Sequence, residues 1–303
     1  MFSGEYAICC RILLINLPTK GGCLQVSVTS NEGFGEIPQM NWDADKMKRY
    51  RRHLLLHEIG MEGQERIAAS RVLVVGAGGL GSPIIAYLAA AGVGKIGIAD
   101  GDVVELSNLQ RQILFGTSDL GKKKTLVAAE RVKNLNPDVQ VEAYDFFLNS
   151  ENAESVIKQY DFVCEGSDNY PAKLLVNDIC VRNHKPFTMG SLSRFEGQAF
   201  THTEGTACWR CMYGAAPKAG GQGCGQTGVL GTVPGIIGAV EATEAIKFIT
   251  GAGFLLTNRL FVFDALTMNS NVFEIALDSG CPVCGNKRKT IDKKEYNQTC
   301  CKK

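Results

Sequence analysis

A short glycine-rich turn between a strand and a helix constrains the fold of this chain more than any other feature. In RVLVVGAGGLGS, residues 71–82, four apolar residues run into Gly76, Gly78 and Gly81, and an apolar helical pattern follows. The first two glycines allow a tight turn and a close backbone approach to a ligand, and the last lets the helix pack on the strand. The free N–H groups at the start of the helix attract an anion. The segment therefore predicts an α/β nucleotide-binding fold, although a tight turn with no ligand is the alternative.

The pattern that follows alternates between short apolar runs and amphipathic helical segments, which specifies a parallel, doubly wound sheet. After Gly190 the pattern changes to antiparallel strands in EGQAFTH and RLFVFDAL, separated by a glycine-rich loop and a helix over 233–249. We therefore expect a Rossmann-like, mostly parallel sheet extended by antiparallel strands. The predicted strands are 72–75, 95–99, 139–144, 160–164 and 186–189, and the predicted helices are 80–91, 122–134, 150–159 and 171–182.

Three segments make up the predicted domain organisation. Residues 1–44 form an N-terminal extension of mixed character with no assigned role, residues 45–285 form the α/β domain, and residues 286–303 form a polar tail. A charged helical pattern from Asp43 ends at Gly60, the residue type that helices favour just beyond their last turn.

Composition excludes several classes of protein. A net charge of +1 gives no global field for nucleic acid or anionic lipid, and the most apolar long segment, 228–250, carries Glu241, Glu244 and Lys247. The N-terminal run lacks the basic start and cleavage site of a secretory signal. Twelve cysteines in a long, core-rich chain favour metal or thiol chemistry over a disulfide framework. We therefore expect a cytoplasmic protein with neither a nucleic-acid nor a membrane partner.

An acidic residue and two cationic residues follow the glycine turn. Asp100 ends the second predicted strand, where a carboxylate can bind a ribose, and Asp102 follows it. A triphosphate that is being cleaved develops more negative charge than a dinucleotide, and needs fixed cations and Mg²⁺. Arg111 in SNLQRQ and Lys124 in GKKK would supply two positive charges, although a lysine run alone is more often a solvated helix start.

Another carboxylate, Asp168 in CEGSDNY, follows the predicted strand 160–164. Ligands of open α/β sheets bind at the carboxyl ends of strands, and a carboxylate there suits an Mg²⁺ that bridges phosphates. The alternative is that Asp168 caps the helix that begins near Pro171.

Two C-x₂-C pairs, Cys208/Cys211 and Cys281/Cys284, predict a closed and therefore structural four-thiolate zinc site. Two separate redox pairs are the alternative, but they lack the βα context of thioredoxin-like chemistry. Cys224 stands apart in a loop of glycines before an apolar helix. It is either an accessible thiol with a lowered pKa or a small buried residue.

In combination and order, the motifs resemble those of the ThiF/MoeB/HesA family, bacterial and archaeal relatives of ubiquitin-activating enzymes. They are RYRRHLLL, GAGGLG, IADGDVVELSNLQRQILF, GKKK, NLNP, SDNY, SRFEGQ, CWRC, CPVC, and GVLG before EATEAIKFITG. The resemblance implies that residues 45–285 are an adenylyltransferase domain. It would use ATP and Mg²⁺ to adenylate the C-terminal glycine of a ubiquitin-like sulfur carrier ending in Gly-Gly, releasing pyrophosphate. The acyl-adenylate would then accept sulfur and become a thiocarboxylate.

The resemblance also implies roles for individual residues. Arg52 of RYRRH would reach across a homodimer interface to the neighbour's ATP, and Cys224 would be the cysteine of the crossover loop, whose role differs among members. The residues implied to bind the nucleotide are Gly76, Gly78, Gly79, Gly81, Asp100, Asp102, Ser107, Asn108, Leu109, Gln110, Arg111, Lys124, Asp168 and Asn169. Those implied to act in the reaction are Arg52, Arg111, Lys124, Asp168 and Cys224.

Several functions remain open at this stage. The sequence ends near CPVC, so we expect the sulfur to come from a separate donor, a cysteine desulfurase or a rhodanese-type protein. GAGGLG and Asp100 alone would also suit a nucleotide-dependent oxidoreductase. An activator could instead form a thioester on Cys224 and pass its protein to a conjugating enzyme. A zinc-stabilised scaffold or inactive partner subunit would be expected to lose Arg52, Arg111 or the acidic residues. The carrier could serve molybdenum-cofactor, thiamine, cysteine or tRNA-thiolation routes.

Overall fold

A single sheet of eight strands organises the part of the chain that the computed structural model describes, residues 41–214, 228–286 and 296. Its strand order is β3-β2-β1-β4-β5-β6-β7-β8, with the first five parallel and the last three antiparallel. This confirms the predicted fold class. The strands are β1 (Arg71–Val75), β2 (Lys95–Ala99), β3 (Gln140–Tyr144), β4 (Phe162–Glu165), β5 (Phe187–Ser193), β6 (Glu196–His202), β7 (Arg259–Asp264) and β8 (Asn269–Glu274).

Helices cover both faces of the parallel strands. Along β1, Val72 and Val74 pack with α3, α4, α5 and α9, while Leu73 and Val75 point to the opposite core with α6, α7 and α8. No helix within the described ranges is long and apolar enough to span a bilayer. The helices are α1 (Ala44–Arg49), α2 (Arg51–Leu54), α3 (Gly60–Ala69), α4 (Gly81–Ala91), α5 (Lys124–Leu135), α6 (Ala153–Ile157), α7 (Tyr170–Arg182), α8 (Trp209–Tyr213) and α9 (Thr232–Thr250).

The predicted helix from Asp43 to Gly60 is wrong in its continuity. The chain instead forms two short helices that meet at Tyr50, because the Tyr50 side chain turns inward and is buried. Gly60 has φ +57°, the left-handed geometry expected of a glycine that ends a helical turn, but α3 begins at the same residue. The sequence interpretation therefore placed the glycine correctly and missed the helix after it.

Two features at the C-terminal end of the domain also differ from expectation. Strand β8 was not predicted, and every one of its residues is exposed, so its sequence NSNVFE carries little apolar alternation. Tyr296, inside the predicted polar tail, packs against the core beside α7, and its hydroxyl donates to Asp178 Oδ2 at 2.7 Å. At this residue the tail contacts the domain rather than solvent alone.

Candidate functional site

The glycine turn after β1 has a shape that side chains would prevent. Gly76 adopts φ +87°, and a Cβ there would lie 3.0 Å from the carbonyl oxygen of Gly166. A Cβ at Gly81 would lie 1.8 Å from the Gly76 carbonyl oxygen. The turn therefore folds tightly on itself and lies against the loop that follows β4. This contact joins the carboxyl ends of two neighbouring strands.

The rest of the turn lies close to side chains of two other segments. A Cβ at Gly78 would lie 3.5 Å from Gln112 Nε2, and one at Gly79 would lie 3.3 Å from Pro234 Cβ and 3.7 Å from Arg111 Cδ. Helix α4 begins directly afterwards, and no described side chain caps its first N–H groups. Uncapped N–H groups at a helix start are a binding site for an anion such as phosphate.

Asp100, at the end of β2, holds the turn in place. Its side chain is buried, and its two oxygens accept hydrogen bonds from the N–H groups of Ala77 and Asp102, each at 2.8 Å. Burial raises the pKa of this carboxyl, while the Lys124 charge opposes that shift. Each oxygen keeps a second lone pair, so the predicted contact with a ribose stays a prediction.

Lys124 is a buried cation beside that carboxylate. It begins α5, and its side chain is 5% exposed, whereas the side chain of its partner Asp102 is 48% exposed. The two side chains meet at 3.1 Å between Lys124 Nζ and Asp102 Oδ2. The backbone N–H of Lys124 also donates to the carbonyl of Asp102. The Lys124 charge therefore lies beside Asp102, and the backbone N–H of Asp102 binds Asp100.

The SNLQR segment forms a compact 3-10 turn next to the glycines. Asn108 is buried, and its Oδ1 accepts the N–H of Glu105 at 3.2 Å. Arg111 is half-buried, and its Nη1 donates to the carbonyl of Ser107 at 3.0 Å. Leu109 packs on the core, which leaves the arginine side chain beside the glycine turn. Gln110 lies against the start of α9, where a Cβ on Gly231 would be 2.2 Å from the Gln110 carbonyl oxygen.

Two polar atoms next to the turn have no hydrogen-bond partner among the described residues. They are Gln112 Oε1, near Gly78, and Ser167 Oγ, whose backbone N–H lies near Gly76. A buried polar atom left unpaired costs free energy unless water or a ligand reaches it. Both atoms therefore favour a polar ligand at the turn. Sequence reasoning missed them, because only their contacts with the glycines distinguish them from ordinary polar loop residues.

The loop after β4 presents Asp168 to solvent. Asp168 is exposed, and its carboxylate has no partner in the described part of the chain. Asn169 caps α7 instead, since its Oδ1 accepts the N–H of Ala172 at 2.8 Å. The alternative in which Asp168 is the cap is therefore wrong. Asp168 stays free to bind a cation at the carboxyl edge of the sheet.

Arg52 lies on the exposed side of α2 and forms no ion pair or hydrogen bond with another described residue. Its helix is anchored by Tyr50, whose hydroxyl accepts a hydrogen bond from Asn136 Nδ2 at 2.9 Å. Cys224 lies outside the described residues. The structure therefore brings together the glycine turn, Asp100, Asp102, Arg111 and Lys124, and leaves Arg52 apart from them.

The four predicted metal ligands do meet in space. The Sγ atoms of Cys208, Cys211, Cys281 and Cys284 lie within 4.8 Å of one another. Two of these separations are 3.7 Å and 3.3 Å, close to the roughly 3.8 Å between sulfurs that bind one zinc at about 2.3 Å in a tetrahedron. The cluster can therefore hold a four-coordinate metal ion.

Asn177, on α7, supports this cluster from the core. Its Nδ2 lies 3.8 Å from Cys208 Sγ, and its Oδ1 accepts the N–H of Trp209 at 2.8 Å. An amide that donates to a ligating sulfur orients it and favours its thiolate form. Sequence reasoning missed Asn177, since an asparagine in the middle of a helix carries no local signal for metal binding.

Comparison with known proteins gives consistent matches. The model of the ThiF family matches residues 50–283. The sulfur carrier protein adenylyltransferase of Thermus thermophilus is 41% identical over 268 residues, covering 86% of this chain and 99% of that protein. The SAMP-activating enzyme E1 of Haloferax volcanii is 42% identical over 263 residues, covering 86% of this chain and 97% of that protein.

A longer relative and a solved structure extend the comparison. The probable adenylyltransferase/sulfurtransferase MoeZ of Mycobacterium tuberculosis is 42% identical over 262 residues, which cover 84% of this chain but 65% of MoeZ. The crystal structure of E. coli MccB with ATP has a TM-score of 0.70 at 24% identity, covering 78% of this chain and 75% of MccB. At this identity the likeness to MccB shows a shared fold.

Proposed function

We propose a function from one established premise: the chain belongs to the ThiF family. It is an adenylyltransferase that uses ATP to adenylate the C-terminal glycine of a small ubiquitin-like sulfur carrier and releases pyrophosphate. One observation carries the proposal. The glycine turn, buried Lys124 and exposed Asp168 lie at the carboxyl ends of neighbouring strands, with Arg111 beside the turn. Cleavage of a triphosphate develops more negative charge than binding a dinucleotide does, and fixed cations beside a phosphate-binding turn stabilise that charge.

Different residues at this edge of the sheet would bind different parts of ATP. The N–H groups at the start of α4 would bind phosphate oxygens, and Lys124 and Arg111 would offset the charge that develops as pyrophosphate leaves. Asp100 and the SNLQR turn would bind the ribose. The oxidoreductase alternative leaves the buried Lys124 and the exposed Asp168 without a role.

The site also fits a magnesium ion. Magnesium prefers carboxylate oxygens together with substrate phosphates. Asp168 offers a carboxylate with no other described partner, and the unpaired Ser167 Oγ lies next to it in the chain. When bound, the ion would withdraw charge from the phosphates, and Asp168 would hold it, with Asn169 beside it in the loop.

We further propose that the enzyme is a homodimer in which Arg52 serves the partner's site. Arg52 is exposed and lacks a partner in the described residues, yet its helix is anchored by a buried tyrosine. An arginine fork matches phosphate oxygens and keeps its charge at any physiological pH. An anchored, unpaired arginine supports a role toward a ligand outside its own subunit.

Zinc is the metal that best fits the cysteine cluster. Four thiolates satisfy a tetrahedral zinc ion completely, so no coordination position stays open for substrate. The cluster also lies in the core that contains α7 and α8, with Cys208 and Cys281 buried. We therefore assign zinc a structural role here.

The second half of the reaction needs sulfur. The acyl-adenylate would be converted to a thiocarboxylate with sulfur from a separate protein, a cysteine desulfurase or a rhodanese-type donor. The Thermus relative, which is named a sulfur carrier protein adenylyltransferase, supports a sulfur carrier as the substrate. The Haloferax relative, named as an activating enzyme E1, keeps open an activator that forms a thioester on Cys224.

ATP–pyrophosphate exchange tests the proposal. Purified chain, incubated with Gly-Gly-ended carriers from the same genome, should incorporate labelled pyrophosphate into ATP only when a carrier is present. A Cys224→Ala variant should keep this exchange under either second step and lose onward transfer only if a thioester is required. Absence of exchange with every such carrier, together with tight NAD binding, would overturn the proposal.

A further inference from the structure

A buried ion pair lies directly beneath the loop that presents Asp168. Glu165, the last residue of β4, and Lys173 of α7 meet at 2.5 Å between Glu165 Oε2 and Lys173 Nζ. The same ammonium donates to the carbonyl of Gly190, on β5, at 2.6 Å. The other oxygen of Glu165, Oε1, accepts the backbone N–H of Ser167 at 3.0 Å. Lys173 therefore connects β5 to Glu165 at the end of β4, and Glu165 in turn binds the residue just before Asp168.

The buried ion pair is an energetically costly contact between α7 and the strands β4 and β5. Removing both charges from water opposes folding, and apolar side chains of similar size often stabilise a core equally well. A Cβ on Gly190 would lie 2.4 Å from Glu241 Oε2, so a second buried carboxyl group fills the space beside this glycine, and Glu165 is fully buried. Hydrogen bonds have a preferred direction, whereas apolar contacts do not. A buried ion pair can therefore orient a loop in a way that apolar packing cannot.

The hydrogen bonds fix the loop on both sides of Asp168. On one side, Gly166 N–H donates to the carbonyl of Val75, and Glu165 binds Ser167. On the other side, Asn169 caps α7. Asp168 itself is exposed and binds no described residue. The loop is thus held by hydrogen bonds on both sides of Asp168, and the Asp168 carboxylate is left available to a ligand.

Two carboxylates lie within this short segment, and only one is available. Glu165 and Asp168 are three residues apart, and either could bind a divalent cation if it were free. The Lys173 ammonium binds Glu165 Oε2 and the Gly190 carbonyl, and Glu165 Oε1 accepts the N–H of Ser167. Without Lys173, Glu165 would no longer be held in place to accept the N–H of Ser167. Its free carboxylate would then compete with Asp168 for the metal ion.

We propose that Lys173 is a positioning residue for the metal–nucleotide site. By binding Glu165 and the Gly190 carbonyl, it fixes the loop in which Asp168 presents its carboxylate to the Mg²⁺ of bound ATP. The inference rests on the proposed function in that Asp168 is taken as the metal-binding carboxylate. The competing explanation is that the pair only joins α7 to β4 and β5, in which case its loss lowers stability and leaves metal binding unchanged.

Metal binding without turnover separates these explanations. Mn²⁺ replaces Mg²⁺ as the probe, and its binding to the full chain with ATP and no carrier is followed by electron paramagnetic resonance. Lys173→Met should weaken Mn²⁺ binding by at least about tenfold, the loss typical when a residue that orients a metal ligand is removed. ATP binding in the presence of a chelator should change less than about twofold, because the turn and Lys124 stay intact. Lys173→Arg keeps a cation that can donate to both acceptors, and should stay within about threefold of the parent.

A second variant and a matched control keep the test decisive. Glu165→Gln is nearly isosteric and can accept only one of the two hydrogen bonds, so it should also weaken Mn²⁺ binding even if Lys173→Met does not fold. Lys185→Met is the control, since Lys185 donates to the Tyr160 carbonyl at 2.7 Å, before the start of β5. It should lower stability without changing Mn²⁺ binding.

Folded Lys173→Met and Glu165→Gln proteins that bind Mn²⁺ as tightly as the parent would overturn the inference. That result is distinct from failure of the proposed function, in which the parent chain itself would show no carrier-dependent exchange.

Discussion

Lys124 is the buried member of a run of three lysines. The side chains of Lys122 and Lys123 are 55% and 42% exposed, and they pair with Asp119 and Asp145. Lys124 is 5% exposed and bonds Asp102 next to the glycine turn. Neighbouring residues of one type therefore differ in role because the helix that starts at Lys124 turns only this side chain into the site.

Lys124→Met should abolish most adenylation while leaving the fold intact. Methionine keeps the length of the apolar stem but removes the fixed charge opposite the leaving pyrophosphate, so exchange should fall at least about 100-fold. Lys122→Met removes an exposed lysine from Asp119, which keeps its ion pair with Arg131, and exchange should stay within about twofold. Equal losses in the two variants would show that the effect is nonspecific.

Glu241, on α9, is a fully buried carboxyl whose oxygens have no hydrogen-bond partner within the described residues. Burial raises its pKa well above the usual 4.5, and the nearby Lys173 charge offsets this only in part. In the pH range between 4.5 and the raised pKa, the folded chain binds one proton more than the unfolded chain. This group therefore makes the protein less stable as pH rises through that range.

Glu241→Gln should remove this pH dependence, because the amide is neutral and nearly isosteric. We expect the variant to gain stability over the parent on the alkaline side and little at low pH, in thermal unfolding followed from about pH 5 to pH 9. Glu130→Gln, on an exposed position of α5, should leave the pH profile unchanged. A Glu241→Gln curve parallel to that of the parent at every pH would contradict the assignment.

At the scale of elements, one asparagine connects the N-terminal helices to the domain. Asn136 follows α5 and is fully buried, and its Nδ2 donates to the Tyr50 hydroxyl and to the carbonyl of Ala89 on α4. Tyr50 also packs against Gly92, where a Cβ would lie 2.4 Å from its hydroxyl oxygen. The position of α2, and of Arg52 on it, therefore depends on contacts that are distant in sequence.

Asn136→Ala should destabilise the fold and disturb α2. It leaves the buried Tyr50 hydroxyl without its donor and removes one of two hydrogen bonds to the Ala89 carbonyl, which costs about 1–3 kcal/mol and can be measured by urea unfolding. Exchange activity at a temperature where the variant is folded should also fall, because Arg52 loses its anchor. Asn134→Ala, at an exposed position in the last turn of α5, is the control and should change stability by less than about 0.5 kcal/mol. A destabilised variant with full activity would show that α2 does not serve the site.

The sequence-based predictions succeeded where local chemistry and tertiary structure agree. Strand β2 and strand β6 have the predicted bounds, since an apolar strand between turn signals has few alternatives. Helix α3 was missed because its sequence GMEGQERIAA begins with glycine and has few apolar residues. Strand β8 is stabilised by its pairing with β7 rather than by burial, which leaves no periodic signal.

In the candidate site, too, the residues with a local sequence signal were predicted and those defined by tertiary contacts were missed. The glycines, Lys124 and the cysteine pairs carry motifs that constrain chemistry through spacing, and so they could be chosen from the sequence alone. Gln112, Ser167 and Lys173 could not, because their significance comes from contacts with other elements. Burial of a polar atom is a property of the folded chain.

At the scale of the whole molecule, the proposed dimer makes a quantitative prediction for mixed subunits. Arg52→Ala and Asp168→Asn should each be inactive, since one removes the arginine and the other the metal carboxylate. Refolded together in equal amounts, they should recover about one quarter of parent activity, because half of the dimers are mixed and each has one intact site. Exchange assays on the mixture check this. No recovery in mixed dimers would place Arg52 outside the partner's site.

The cysteine cluster should affect stability rather than chemistry. Elemental analysis should find one zinc per chain, and Cys284→Ser should reduce that content and lower the melting temperature by roughly 5 °C or more. Adenylation by the folded fraction should persist, since four thiolates leave no open position on the metal. Cys180→Ser, at a buried thiol outside the cluster, controls for general effects of replacing a cysteine and should keep the zinc. Loss of exchange in a folded, zinc-free variant would contradict a structural role.

The most direct test of the central claim is the intact mass of a Gly-Gly-ended carrier after incubation with this chain, ATP and Mg²⁺. The carrier should gain the mass of one adenylyl group, that is AMP less one water, located at its C-terminal glycine by fragmentation, and a carrier that lacks the last glycine should gain none. Lys124→Met should yield no such product. A carrier that stays unmodified with the parent chain, for every Gly-Gly-ended carrier of the genome, would contradict adenylation as the function of this site.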